Sequence, residues 1–255
     1  MVEKSFYLLE NVKVDSQSCK SALGFSWEPI AIPLPREDKS GLALFIFKKN
    51  MAEIVWNSLG VFENNPSTLP QTETILQGRA VGGISIDELS QVKRFGDGTT
   101  HLVNSVKSEA FHLDLDFAKQ LHAIIGKEEA LEWGVLRSRQ VHIHGVSHVP
   151  PAADELPMLA EKGFSFLRDQ VKDPVERAIA TFLFMSRTQF FFDCNKRTAS
   201  LMMNGALLSA GYYPIAVLKE TAEEFNEKLR VFYNSADGTE MFGYFSRVCA
   251  KLYSS

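Results

Sequence analysis

The chain has 255 residues, of which 45% are hydrophobic and 23% are charged, a composition typical of a folded protein with a sizeable core. Its net charge of -4 argues against a chain-wide electrostatic grip on nucleic acid, so no nucleic-acid partner is expected. No apolar run approaches the roughly 20 residues of a membrane span, and the N-terminal stretch lacks a secretory pattern. Three well-separated cysteines fit a reducing compartment, so we expect a cytoplasmic protein with no membrane partner.

The first 40 residues form the least regular part of the sequence. Three prolines in WEPIAIPLPREDKSG (27–41) predict an extended connector, because proline removes a backbone donor and fixes its own φ angle. We therefore assign residues 1–40 to an N-terminal extension or connector and residues 41–255 to a helical domain.

Apolar residues then recur with helical spacing along most of the chain. A helix is predicted from Leu42 to Phe62, and ENNPSTLPQTET (63–74) ends it and begins the next. The same periodicity predicts further helices near residues 82–95, 113–126, 154–172, 174–191, 195–210, 219–234 and 238–252. Between them, GVLRSRQVHIHGVSHVPP (134–151) alternates and closes on a double proline, which predicts a short β-hairpin. The fold class is therefore mostly α with one hairpin.

A compact polar cluster follows three phenylalanines in TQFFFDCNKRTAS (188–200), at the turn between two predicted helices. Helix N-termini present free backbone N–H groups and a partial positive charge, and Lys196 and Arg197 add two cations there. Asp193 could hold a hard cation such as Mg²⁺ that bridges phosphates. The cluster indicates a site for nucleotide phosphates and a metal. The alternative is that Asp193 only caps the helix and that both cations are solvated helix charges.

The same stretch resembles the signature of the Fic family, whose motif reads HPFxDGNxRxxR with a lysine-containing variant GNKRTA. The matching residues are Phe191, Asp193, Asn195, Lys196, Arg197, Thr198 and Ala199. VHIHGVSHVPP (141–151) resembles the family's flap hairpin, and LMMNGALLSAGY (201–212) resembles the helix after the motif.

The resemblance implies a Fic-type helical bundle with one β-hairpin flap at about 134–150. It implies transfer of AMP, or of related phosphate-containing groups, from a nucleotide to protein hydroxyls, with ATP and Mg²⁺ as the expected ligands. Asp193 is then the expected Mg²⁺ residue. The flap, with Val141, His142, Ile143 and His144, is the expected docking surface for a protein target. The phosphate-binding residues implied by the motif are Cys194, Asn195, Lys196, Arg197 and Ser200.

Four positions depart from the family pattern. Gln189 stands where the motif has its catalytic His, Phe190 replaces the Pro, Cys194 replaces the Gly, and Ser200 replaces the second Arg. The family's His accepts the proton of the target hydroxyl, which an amide cannot do near neutral pH. The resemblance therefore implies an impaired or inactive protein, a pseudoenzyme that retains a nucleotide-phosphate site.

Two alternatives stay open for the flap histidines. His142 or His144 could act as the base of a working nucleotidyl- or phosphotransferase. Alternatively, His142, His144 and His148 lie at even spacings and could share one face of a strand, as in a three-histidine metal-binding module.

Glu63 and Asn64 fit the end of a Ser/Thr-x-x-x-Glu-Gly/Asn motif that blocks the site in self-inhibited members of the family. There the Glu pairs with the second Arg. Because that Arg is Ser200 here, the inhibitory ion pair is not expected to form as in the family. The alternative is that Glu63 is a helix C-terminal acid without a role.

Overall fold

The computed structural model describes residues 14–37 and 41–253. In these two ranges the chain forms α-helices joined by short loops, with isolated β-bridges at Ser26–Asp237 and Arg36–Tyr212 in place of any sheet. The helices are α1 (Ser16–Leu23), α2 (Gly41–Lys49), α3 (Met51–Phe62), α4 (Leu69–Leu76), α5 (Ile86–Lys107), α6 (Leu115–Ile125), α7 (Leu156–Asp169), α8 (Pro174–Thr188), α9 (Asn195–Ser209), α10 (Ala222–Ser235) and α11 (Thr239–Tyr253). The mostly helical fold class is confirmed.

Local sequence chemistry sets most helix starts. Thr68 and Ser85 form capping boxes at the starts of α4 and α5, and Asp114 and Asp173 cap α6 and α8 with their carboxylates. The helix predicted from Leu42 to Phe62 is in fact two helices, because the chain leaves the helical path at Asn50.

The pair α8 and α9 lies at the centre of the core. Nearly all side chains of both helices are buried, including the phenylalanines of α8, and α9 also packs against α5 and α6. A helix that is buried on all faces is typical of the interior of a bundle. The loop between these two helices carries the polar cluster, so the cluster lies between two largely buried helices.

Residues 14–37 contribute to the same core. The sequence predicted only a connector here, but Ser16–Leu23 forms α1 and packs on α7. Trp27 stacks on Phe242 with ring centroids 5.2 Å apart, and Phe25 meets Phe232 edge-on at 5.1 Å. The proposed boundary at residue 40 stays a prediction, and residues 1–13 and 38–40 lie outside the described residues.

The prediction of a β-hairpin at residues 134–151 is wrong. Residues 134–151 form an extended loop with a turn at His144 and Gly145, and no paired strands occur within it. A side chain, instead of a partner strand, forms hydrogen bonds with the backbone of this loop. Gln140 Nε2 donates to the carbonyl oxygens of Val141 and Pro150. From here on, the name flap is restricted to residues 140–150 of the segment predicted as the flap at 134–150. Across the described ranges, no helix is long and apolar enough to cross a bilayer.

Candidate functional site

The motif loop, residues 189–194, joins α8 to α9. Gln189 ends α8 in the left-handed region with φ 53° and ψ 65°, and Cys194 precedes α9 with φ 58° and ψ 15°. Apart from glycine and asparagine, residues rarely adopt this conformation, which costs about 1 to 2 kcal/mol at each position. A loop bracketed by two such residues must be held by its surroundings.

Asn195 holds the loop from inside. Its Oδ1 accepts from the N–H of Phe191 at 2.9 Å, and its Nδ2 donates to the Phe191 carbonyl at 2.8 Å and to Gln189 Oε1 at 3.1 Å. Gln189 Nε2 donates to the carbonyl of Ser186 at 2.6 Å. Both ends of the Gln189 amide are therefore engaged in the protein's own hydrogen bonds.

Arg137 holds the loop from behind. It is one of the largest fully buried side chains, and its hydrogen bonds go to backbone carbonyls. Nε donates to Gln189 at 2.7 Å, and the two terminal nitrogens donate to Arg139 and Pro151 at 2.8 and 2.5 Å. Burial lowers the pKa of this guanidinium from its ordinary value. Because Arg139 and Pro151 flank the flap, one side chain ties both flap ends to the motif loop.

His122 is a second support that the sequence reasoning missed. Its ring stacks on Phe191 at 3.8 Å, Nδ1 accepts from the N–H of Gly134 at 3.0 Å, and Nε2 lies 3.2 Å from the carbonyl of Asp193. The ring is therefore neutral with its proton on Nε2, and burial lowers its pKa to about 4. A lone histidine on an amphipathic helix gives no sequence signal of this role.

Arg197 faces the core. Its side chain is 0% exposed, and it forms a bidentate pair with Glu129 at 2.9 and 2.6 Å. Nε also lies 3.0 Å from Glu63 Oε1, but the N–H does not point at that oxygen, so this contact is an ion pair without a hydrogen bond. The neighbouring carboxylates raise the pKa of Arg197 despite its burial. Glu129 was missed because a loop glutamate carries no recognisable signal.

Lys196, the next residue back along the chain, is oriented differently. Its Nζ donates to the carbonyl of Phe62 at 2.8 Å, at the last residue of α3, and lies 5.8 Å from the centroid of the Phe62 ring. Burial lowers the pKa of this ammonium, and the nearby Glu63 carboxylate opposes that change. Arg197 is thus hydrogen-bonded to a carboxylate, whereas its neighbour Lys196 is hydrogen-bonded to a neutral carbonyl.

A cavity of about 610 Å³ lies between the motif loop, the end of α3, the flap and α10. The predicted site residues that line it are Glu63, His142, Ile143, His144, Gln189, Asp193, Cys194, Asn195 and Lys196. Val141, Arg197 and Ser200 are not among the lining residues. Ser200 is buried, and its hydroxyl donates to the carbonyl of Arg197 at 2.9 Å. The structure therefore brings most of the predicted residues together and turns two of the predicted phosphate ligands away.

Residues 112–207 match the model of the Fic/DOC family. The protein adenylyltransferase Fic of Drosophila grimshawi is 30% identical over 182 residues, which cover 69% of this chain and 37% of that protein. The chain belongs to the Fic/DOC family. It spans little more than a third of the length of this curated relative.

Two solved structures share the Fic fold. Fic-1 from C. elegans matches with a TM-score of 0.70 at 23% identity, covering 83% of this chain and 64% of that chain. A Fic-domain signaling protein from Bacteroides thetaiotaomicron matches with a TM-score of 0.67 at 20% identity, covering 85% and 88%. The resemblance indicated by the motif is confirmed at the level of family and fold.

The contact made by Glu63 differs from the expectation. Without a second Fic arginine, no inhibitory ion pair was expected, but Glu63 pairs with the first arginine, Arg197, at 3.0 Å. The reason is geometric: Glu63 caps the end of α3, which abuts the first turn of α9, so the arginine within reach is Arg197. Burial raises the pKa of Glu63 and is the largest effect on it, whereas the nearby charges of Arg197 and Lys196 lower this pKa.

The three-histidine metal module is also corrected. His148 Nε2 lies 3.2 Å from the carbonyl of Arg187 and is not among the cavity-lining residues, whereas His142 and His144 are. In the described ranges, no group of three His, Cys, Asp or Glu side chains is arranged to hold a metal ion. The prediction from the even spacing was wrong because the segment is an irregular loop, in which alternate residues do not share a face.

Proposed function

We propose that this Fic chain binds a nucleotide with its phosphates in the cavity beside Lys196, and that it transfers AMP to protein hydroxyls poorly or not at all. The observation that carries the proposal is the lining of one cavity by the start of α9, by Lys196 and by the amide of Gln189. Backbone N–H groups and one ammonium suit phosphate oxygens. The amide of Gln189 occupies the motif position of the proton acceptor.

The phosphate site proposed here differs in composition from the motif's. Lys196 is its side-chain cation, because Arg197 is engaged by Glu129 and Glu63 and does not line the cavity. The side chain of Asn195 is hydrogen-bonded to the motif loop. Asn195 therefore contributes to the phosphate site only through its backbone N–H at the start of α9. With one cation in place of three, nucleotide binding is expected to be weak.

The residues present fit a Mg²⁺ ion that arrives with the nucleotide. The Asp193 side chain is 57% exposed and lines the cavity, and Mg²⁺ is commonly bound by one or two carboxylates together with substrate phosphates. Asp193 Oδ1 already accepts from the N–H of Cys194 at 2.6 Å, which orients the carboxylate. A bound Mg²⁺ would neutralise phosphate charge, and Asp193 would hold it.

Impaired transfer follows from the chemistry at residue 189. In the transfer, the target oxygen bonds to the α-phosphorus, the bond to pyrophosphate breaks, and the hydroxyl proton must go to a base. The Gln189 amide does not accept a proton near neutral pH, and both of its ends are already hydrogen-bonded. Loss of a general base typically costs about 10² to 10⁴ in rate.

An active transferase with a flap base is the second candidate. The observation in its favour is that His142 and His144 are exposed and line the same cavity as Gln189. An acceptor protein would then meet its base on the flap. Such a base predicts measurable transfer by the native chain that disappears when both histidines become alanine.

Calorimetry with ATP tests the nucleotide site. We expect weak heat that needs Mg²⁺, that is lost in Lys196→Met and that is reduced in Asp193→Asn. Transfer of label from α-labelled ATP tests the chemistry, and the native chain is expected to label itself or a lysate very little. Absence of heat at millimolar ATP would overturn the nucleotide site. Strong labelling abolished by His142→Ala with His144→Ala would favour the second candidate.

We also propose a cytoplasmic location, on the basis of the three cysteines. Cys19, Cys194 and Cys249 are buried free thiols, and burial raises the pKa of each. Unpaired cysteines support a reducing compartment.

A further inference from the structure

The end of α3 is held by three side chains from outside the helix. Asn226 Nδ2 on α10 lies 3.5 Å from the carbonyl of Val61, Lys196 Nζ donates to Phe62 at 2.8 Å, and Lys219 Nζ donates to Asn65 at 3.2 Å. The last carbonyls of a helix have no partner within the helix, so such contacts stabilise its final turn.

The two lysines differ in one respect. Lys196 lines the cavity, whereas Lys219 is not among the lining residues and lies over Trp56 at 5.4 Å. Any anion in the cavity therefore meets the ammonium of Lys196 and not that of Lys219. The Phe62 carbonyl and a phosphate oxygen would compete for one cation.

We propose that Lys196 couples ligand binding to α3: phosphate oxygens of a bound nucleotide take the ammonium of Lys196 from the Phe62 carbonyl and so release the last turn of α3. This coupling deepens the proposed nucleotide site and rests on it. The ligand class is a phosphate-bearing anion, and the responding element is the end of α3 with Glu63.

Charge favours the exchange. The bond to Phe62 joins the ammonium to a neutral acceptor, whereas a phosphate oxygen adds the Coulomb attraction of a full negative charge. The ammonium is largely buried, so a charged partner compensates its lost hydration better than a carbonyl does. The flexible lysine stem can turn toward the cavity without moving the helix.

Arg197 cannot take over this task. Its guanidinium is held bidentately by Glu129, and a ligand would have to break two charge-assisted bonds to recruit it. The remaining contact of α3 with this cation, from Glu63 Oε1 to Arg197 Nε, lacks hydrogen-bond geometry. Release of the Phe62 carbonyl therefore removes the best-formed bond from α9 to the end of α3.

Coupling of this kind is reciprocal. If the nucleotide releases α3, then anything that holds α3 in place lowers the affinity for the nucleotide by the same factor. In the proposed coupling, the phosphate-bound position of the ammonium excludes its bond to Phe62, so the apparent affinity equals the intrinsic affinity multiplied by the fraction of molecules in which that bond is broken.

Hydrogen exchange of two backbone amides measures the release. The N–H groups of Glu63 and Asn65 both donate to the carbonyl of Leu59, at 3.0 and 3.2 Å, and report the last turn of α3. With saturating ATP and Mg²⁺, we expect their exchange in the native chain to accelerate by roughly tenfold or more. In Lys196→Met the exchange should be fast without ligand and should not respond to ATP.

Lys219→Met is the matched control. It removes a lysine–carbonyl bond from the same segment, at Asn65, but on the side away from the cavity. We expect faster exchange of this segment without ligand and a further acceleration with ATP, as in the native chain. Lys196→Arg keeps a cationic donor and should restore slow exchange without ligand.

Calorimetry on the same samples separates the coupling from the nucleotide site. If ATP gives heat but the exchange of Glu63 and Asn65 is unchanged or slower, the coupling is overturned and the nucleotide site stands. A response to ATP that persists in Lys196→Met also overturns the coupling. If ATP gives no heat, the proposed nucleotide site fails and the coupling fails with it.

Discussion

The motif loop and the flap enclose one cavity but are held in opposite ways. The motif loop is supported from three sides, by Asn195, His122 and the buried Arg137, and most of its backbone contacts are inside the protein. The flap is tied at its ends, through Arg137 and through Asn234, whose Oδ1 accepts from Ser147 and His148. Its centre is exposed.

This difference separates two kinds of function. A loop that is pinned by buried hydrogen bonds presents its phosphate-facing groups in one geometry, which is the requirement for positioning a reacting group. An extended segment that is held at its ends has fewer bonds to fix the geometry of its central backbone. We therefore expect substitutions in the motif loop to change chemistry or stability, and substitutions in the flap supports to change local mobility.

The largest expected effect is a rescue of transfer within the pinned loop. Gln189→His alone should raise labelling by α-labelled ATP only weakly, whereas Gln189→His with Cys194→Gly and Ser200→Arg should raise it clearly more. A restored base accounts for about 10² to 10⁴ in rate, or about 3 to 6 kcal/mol of barrier. Base and phosphate positioning act as a unit, so the separate gains should not add.

The folding of the triple variant is the control for this rescue. Because Ser200 is buried, an arginine there must find space toward the cavity, so urea unfolding and ATP binding are measured first. A triple variant that folds, binds ATP and labels nothing would contradict the view that the loop is preorganised for transfer. If the native chain labels as well as the triple variant, the general base must be a residue other than Gln189, and the flap histidines become the candidates.

Arg197 provides the next largest effect, and it concerns stability. Arg197→Met leaves the carboxylates of Glu129 and Glu63 without their buried cation, and we expect a loss of about 3 kcal/mol in the free energy of unfolding. Lys196→Met removes one bond to a neutral carbonyl and should cost at most about half of that. Urea titrations compare the two variants. Equal costs, with ATP binding lost only in Arg197→Met, would show that Arg197 is a phosphate ligand after all.

His122 should give the motif loop a pH-dependent support. Its pKa is lowered from 6.5 to about 4, so the unfolded state binds more protons than the folded state between these values. The contribution is complete above pH 6.5 and is lost as the pH falls to 4, by about 3 kcal/mol. The measurement is the difference in unfolding free energy between the native chain and His122→Phe.

Taking this difference removes the opposing effect of Glu176. Burial raises the pKa of Glu176 to about 7, so its own contribution is lost as the pH rises from 4.5 to 7. Both proteins carry Glu176, so only His122 remains in the comparison. A difference that stays flat from pH 7 to 4 would contradict a buried neutral His122.

The helices and the composition of the site were predictable from sequence, because both depend on local patterns. Periodic apolar residues placed most helices close to their observed bounds, although the helix predicted near residues 82–95 continues to Lys107 in α5. The motif also identified the residues around the cavity as a group. What failed was the direction of individual side chains.

Arg197 and the flap illustrate two features of the structure that the sequence did not reveal. A motif arginine reads as a phosphate ligand, but Glu129, 68 residues away in sequence, decides that it faces the core. The alternating residues of 134–151 predicted a hairpin, but the side chains of the buried Arg137 and the exposed Gln140 donate to backbone carbonyls of this segment. Long-range partners of this kind leave no periodic signal in one sequence.

Asn234 tests the weaker support of the flap. Its Oδ1 accepts from the N–H and hydroxyl of Ser147 at 2.8 and 2.9 Å and from the N–H of His148 at 3.2 Å. Asn234→Ala should cost about 1 to 2 kcal/mol in local stability and should accelerate exchange of the Ser147 and His148 amides by roughly tenfold. The amide of Phe191, held by Asn195, should be unaffected. Equal acceleration at Phe191 would mean that the flap and the motif loop open together.

The smallest expected effect isolates the backbone strain of the motif loop at Cys194. Cys194→Ala and Cys194→Gly both remove the buried thiol, but only glycine adopts the observed φ of 58° without penalty. In an ordinary helix interior the glycine variant would be less stable than the alanine variant by about 1 kcal/mol. At Cys194 we expect the opposite sign and a similar size, measured as the difference in urea midpoint at equal slope. An alanine variant as stable as the glycine variant would mean that residue 194 is not left-handed in solution. The supports from Asn195 and His122 would then not impose the conformation that the motif's glycine adopts freely.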